Sequence, residues 1–229
     1  MAFYRKNWYY AGGVLFVALA FFVGFWGDHI DPLRKILLLS FMALLVHQFE
    51  EYAYPGGFPP VFNIAWYRET EAPDRYPLNR MSSLCVNVFA AYPGYILPII
   101  FPNLIWLGLA QILFGMVGQL IVHGIIINRK MGSFYNPGLG VVVFLHVPIG
   151  IYYVWYVYAH GLIQPWHWIV GIACTALSAL LIVGLPVILL RDKNSPYPFG
   201  QEEMARFHVG EKLKRRRQRQ MQGDPSVDL

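Results

Sequence analysis

The chain reads as an all-α polytopic membrane protein, a bundle of six transmembrane helices with both termini in the cytosol. Three observations predict this. Of 229 residues, 56% are hydrophobic and only 14% charged, with a mean hydropathy of +0.42, whereas soluble domains carry about 45–50% apolar and about 25% charged residues. The apolar residues gather into six runs of about 17–25, the length that crosses about 30 Å of hydrocarbon with the backbone hydrogen bonds closed internally. Sixteen of the 18 Lys and Arg fall on one side of the resulting topology, leaving only Arg34 and Lys35 on the other, so the positive-inside rule puts the termini in the cytosol.

This composition excludes a soluble globule and a disordered chain, which needs low hydrophobicity and high charge. The length accommodates one membrane unit, 1–190, and a basic cytosolic tail, 191–229. The runs cover about 8–26, 32–52, 83–101, 103–127, 139–159 and 166–190. The first lacks a small-residue cleavage site and is too long and aromatic for a signal peptide, so it is a retained span. After the second comes a polar loop of about thirty residues, long for a compact protein; the other connections are short. On the far side Tyr152, Tyr153, Trp155, Tyr156, Tyr158, Trp166 and Trp168 suit an aromatic belt at the outer interface. Cys85 and Cys174 show no paired spacing and read as packing residues. In the tail, Lys212, Lys214, Arg215, Arg216, Arg217 and Arg219 form a juxtamembrane patch for anionic lipid; no nucleic-acid partner is indicated.

Ionisable residues inside spans cost about 2.5–3.5 kcal/mol each on insertion scales and mark functional sites. The second span ends in H-Q-F-E-E-Y, with His47, Glu50 and Glu51; the fourth carries Gln119 and His123, the fifth His146, and the third begins near Asn87. All fall in the cytosolic third, with His146 about 10 Å inside its span and His123 about 6 Å from the end of its own. His47, Glu50 and Glu51 project from one helical face, and Gln119 and His123 repeat the four-residue step. Imidazoles with carboxylates suit a divalent zinc or iron ion, whose charge makes adjacent glutamates tolerable in lipid. The expected metal ligands are His47, Glu50, Glu51, His123 and His146, with Glu50, Glu51, His123 and His146 as the catalytic set. Asn87 and Gln119 are supporting residues that equally suit helix-to-helix hydrogen bonding.

Two turns flank this cluster. P-G-G-F-P at 55–59 stops the second helix and begins a surface-hugging segment that reads either as a lid or as an amphipathic connector. Asn136, Pro137 and Gly138 form a turn that aims the fifth helix and its His146.

H-Q-F-E-E-Y, then P-G-G-F-P, then a histidine and Y-N-P-G-L in this order resemble the HXXEE family of small integral membrane proteins of unknown function, over about Leu38 to Pro148. The resemblance implies a multi-helix membrane fold and importance for His47, Glu50, Glu51, His123, Asn136, Pro137 and Gly138; it supplies no reaction. A weaker similarity is to CAAX-processing intramembrane proteases, in which Glu50, Glu51, His123 and His146 would assemble a water-activating site. That family has an arginine where this chain has Pro55, and His47 is extra, so the likeness is an analogy.

Four functions fit these residues. The first is a metal-dependent hydrolase of a lipid-like or membrane-embedded substrate on the cytosolic side. The second is a metal-free enzyme (protease, isomerase or cyclase) using glutamate and histidine as acid and base. The third is a non-haem iron oxidoreductase, for which the histidine count is low only if the site is of the di-iron desaturase type. The fourth is a proton- or ion-coupled transporter, disfavoured by the lack of a repeat and by polar groups near one face rather than the midplane.

Overall fold

The computed structural model describes residues 2–222, and no strand occurs among the described residues. Part of the tail unit expected at 191–229, namely 223–229, lies outside the described residues. Among the described residues six helices are long and apolar enough to cross a membrane: α1 Ala2–His29, α2 Pro32–Tyr52, α3 Arg80–Ile100, α4 Ile105–Met131, α5 Leu139–Ala159 and α6 Pro165–Leu190.

Helix α2 is the hub. Asp31 caps it by accepting the Arg34 backbone N–H at 3.0 Å, and Pro32 occupies the first turn, where a missing N–H costs nothing. Within its most apolar window 61% of residues are buried, against 11% for α1 and 6% for α6, so those two helices are peripheral and carry the chain's large lipid-facing surface. Helix α1 lies on α2 at Gly12 and Gly13, where an added Cβ would come 3.6 Å from Leu45 Cδ2 and 3.2 Å from the Phe49 ring.

Helix α3 starts earlier than hydropathy alone indicates. Asn79 accepts the N–H groups of Met81 and Ser82 at 2.9 and 3.0 Å, and the Ser82 hydroxyl accepts the Asn79 N–H at 2.9 Å. Helix α4 runs on to Met131, where Gly132 turns left-handed (φ 60°). One aromatic departs from the expected outer belt: Tyr153 is fully buried between α2 and α4, donating its hydroxyl to the Ile105 carbonyl at 3.2 Å. It faces Gly108 rather than lipid because only a glycine there leaves room for its ring.

The two ends of the chain and the long loop share one face. Arg5 stacks on the Tyr197 ring at 3.9 Å. The loop from 53 to 79 contains a helical segment at 58–66 and is clamped by Asn63, whose amide donates to the carbonyls of Pro73 and Leu78 and accepts the Leu78 N–H. The basic tail, which the sequence presents as a patch for anionic lipid, docks here through Gln201–Ala205 and α7, Val209–Met221. Val209 is buried with Val61, Ala65, Ile127 and Met131; Arg206 donates to the Tyr52 carbonyl, and Glu203 pairs with Arg80.

Four spans widen locally from i→i+4 to i→i+5 hydrogen bonding: α3 at 85–90, α4 at 114–118 and 120–127, α5 at 142–146 and α6 at 179–184. Such π turns rotate the side chains that follow and recur at functional sites. Asn87, His123 and His146 all lie within them.

Candidate metal centre

Helix α2 supplies His47 and Glu51 one turn apart, and the π segment of α4 brings His123 to meet them. All three are buried, and one ligand atom from each lies within 4.8 Å of the others. Both imidazoles address the same carboxylate oxygen: Glu51 Oε1 is 3.5 Å from His47 Nε2 and 3.3 Å from His123 Nε2.

The far nitrogen of each ring reveals its tautomer. His47 Nδ1 lies 3.1 Å from the Gly138 carbonyl, which only accepts, so Nδ1 carries the proton. His123 Nδ1 lies 2.7 Å from Asn136 Oδ1, and the Asn136 amide group is fixed by donating to the His123 carbonyl at 2.8 Å and to Asn128 Oδ1 at 2.7 Å. His123 therefore also donates through Nδ1. In their neutral forms both rings turn bare Nε2 lone pairs toward a carboxylate oxygen, an arrangement that repels unless positive charge sits between them. A proton or a cation meets that need.

The donor set fits a cation. Ligands about 2.0–2.2 Å from a tetrahedral ion stand about 3.4 Å apart, which matches the 3.5 and 3.3 Å separations. Hydrogen bonds from the non-ligating nitrogens to fixed acceptors are the outer support that metal-bound histidines use.

Glycine makes this support possible. Gly138 has φ 104°, and a Cβ there would come 2.6 Å from His123 Cε1 and 2.8 Å from His47 Cε1. Pro137 is buried beside it, so the Asn136-Pro137-Gly138 turn packs directly on both rings.

Glu50 does not join this group. One residue before Glu51 on α2, it points to the start of α5, where Oε1 accepts from the Tyr135 hydroxyl at 2.8 Å and from the Gly140 N–H at 3.0 Å, and Oε2 accepts from the Val141 N–H at 2.8 Å. It is an anion on a helix N-terminus. Burial, reinforced by the Glu50 carboxylate, pushes the Tyr135 phenol up, which keeps it a donor. Tyr135 and Gly140 are the participants that sequence reasoning missed; the tyrosine opening Y-N-P-G-L was their one visible signal.

His146 approaches without joining. Its ring centroid lies 5.7 Å from that of His47, and its buried Nε2 has no hydrogen-bond partner among the described residues. It packs against Gly115, where a Cβ would be 2.7 Å from its Nδ1. Asn87 accepts from the Gln48 amide through its carbonyl and Oδ1, at 3.0 and 3.3 Å, and donates to the Ser83 carbonyl at 2.9 Å. Asn87 and Gln119 line a cavity of about 580 Å³ that the buried His47, Glu51 and His123 also line. The P-G-G-F turn above the site is covered by the tail: added Cβ atoms on Gly56 and Gly57 would each come 2.7 Å from Arg206 Cδ and Phe207 Cβ respectively.

A family model described as "Protein of unknown function with HXXEE motif" matches residues 38–153, which includes all three residues of the centre. No curated protein and no solved structure matches the chain.

Proposed function

The chain belongs to the HXXEE-motif family, and from that premise we propose that it is an integral membrane, metal-dependent hydrolase acting on a lipid-like or membrane-embedded substrate. The carrying observation is the pair of bare imidazole nitrogens aimed at one Glu51 oxygen. His47, Glu51 and His123 hold a divalent zinc or iron ion, which supplies Lewis acidity toward a carbonyl or phosphoryl oxygen.

The chain's own residues do the rest. The second oxygen of Glu51 takes a proton from the attacking water and returns it to the leaving group. Asn136 and the Gly138 carbonyl keep both rings in their ligating tautomer. Glu50 fixes α5 and the turn that carries those acceptors, and His146 packs beside the His47 ring. The sixteen-to-two charge asymmetry supports a cytosolic location for the face that carries the tail, and the basic residues of α7 lie against anionic lipid there.

Two histidines and one carboxylate also form the ligand set of non-haem iron oxygenases, so oxidation of the same substrate is the second reading. The test is release of fatty acid from neutral ester lipids by the purified protein in proteoliposomes, with oxygen consumption followed in parallel. Release that a chelator and Glu51→Gln both abolish supports hydrolysis. Oxygen uptake without release moves the assignment to oxidation, and chelator-insensitive release removes the metal from the account.

A further inference from the structure

The cavity that ends on the candidate centre has a shape and a chemistry of its own. Helix α6 packs chiefly on the first half of α4 and then crosses to α3 for its second half. The crossing leaves the second half of α4 uncovered on that side, and the cavity lies in the gap. Along α4 its wall runs from Leu113 to His123, ten residues or about 15 Å, one leaflet of a hydrocarbon core about 30 Å thick. Along α6 it continues from Val187 to Trp168, past the middle of the span.

Its floor and its mouth differ. His47, Glu51 and His123 are buried at the inner end, whereas Val117 and Ile121 of α4 and Ala176 and Ala179 of α6 are exposed along the side. These lie within spans, so the mouth opens sideways into lipid. Small residues on α6 make the width. The hydroxyl of Thr175 donates to the Gly171 and Ala110 carbonyls, so it adds no free polar group to the wall. No Lys or Arg lines the cavity among the described residues, so nothing but the centre itself faces a charged headgroup.

We propose that the ligand is a single-chain lipid whose uncharged carbonyl head sits at His47, Glu51 and His123, whose chain lies along α6, and which enters laterally between α4 and α6. This names the substrate class of the hydrolase reading and rests on it for the fate of the head. With no Lys or Arg on the wall, nothing beside the centre pairs with the charge of a phosphate head, and a volume of about 580 Å³ suits one chain rather than two.

The full-length protein in phosphatidylcholine nanodiscs is irradiated with a hexadecanoyl glycerol ester that carries a diazirine in its chain, and the adducts are mapped. Label concentrated on Ile172, Thr175 and Ala176 is expected, displaced by unlabelled hexadecanoyl ester and about tenfold less well by the octanoyl ester. Ala179→Phe should cut this label about tenfold while leaving the melting temperature unchanged; if that variant misfolds, Ala176→Leu gives the same reading with less added volume. Label shared evenly with lipid-facing Phe144, Ile188 and Leu189, insensitivity to both variants, or better displacement by hexadecyl phosphate than by the ester overturns the proposal. Metal content and ester release of the unchanged protein separate it from the hydrolase reading: specific label on a protein that binds no metal and releases no fatty acid removes the hydrolase and leaves the cavity assignment, whereas bound metal and release without specific label do the reverse.

Discussion

Asn136 receives the Nδ1–H of His123 at 2.7 Å, and this bond decides which face of the imidazole meets Glu51. The same asparagine donates to the His123 backbone carbonyl, so one side chain fixes both the ring and the helical turn that carries it. Asn136→Ala should therefore lower metal affinity by about 10–100-fold, the usual effect of losing an outer-shell partner. Zinc titration against a fluorescent chelator measures it; unchanged affinity would mean that His123 needs no external orientation.

Gly138→Ala meets two obstacles at once. Its left-handed φ of 104° costs a non-glycine residue about 1–2 kcal/mol, and its methyl would press on both histidine rings. The melting temperature in detergent should fall and metal should be lost. Gly161→Ala is the control, since φ is 63° with no atom within 4 Å of the added Cβ, so it carries the backbone cost alone. Equal effects of the two substitutions would remove the ring contact from the argument.

The adjacent glutamates should separate cleanly. Glu50→Gln weakens three hydrogen bonds to a charged acceptor and the anion at the α5 N-terminus, a loss of about 1–3 kcal/mol, yet it leaves His47, Glu51 and His123 in place. Glu51→Gln removes a ligand while relieving a buried negative charge. Lower thermal stability with metal retained is expected for the first, and metal loss with stability retained for the second. Metal loss from Glu50→Gln with no change in melting would bring Glu50 back as a ligand.

The proposed orientation predicts that a single cysteine introduced at Gln222, with Cys85 and Cys174 replaced by Ala, reacts with a membrane-impermeant maleimide only after the membrane is permeabilised. Labelling of intact cells would turn the protein over and put the candidate centre near the outer face.

Much of this architecture is visible in the sequence for definite reasons. A span must be apolar along its whole length, so all six helices stand out, and His47 and Glu51 lie on a regular α-helix where a four-residue step guarantees neighbours. Equal depth then picks out His123. The wheel fails where the helix changes its period: Gln119 and His123 are also four apart, but the π turns of α4 leave Gln119 half-buried on the cavity wall. It fails for Glu50 too, because about 100° of rotation separates consecutive residues, enough to deliver the carboxylate to α5. Tyr135, Gly140 and the clamp residue Asn63 act through contacts between segments distant in sequence, which no local pattern encodes.

The central claim is a metal ion held by His47, Glu51 and His123. Elemental analysis of the protein purified in detergent, without chelator and without nickel affinity resin, tests it most directly when run beside His47→Ala with Glu51→Gln. The account predicts one equivalent of zinc or iron per chain in the unchanged protein and none in the variant; metal absent from both, or equal in both, would contradict it.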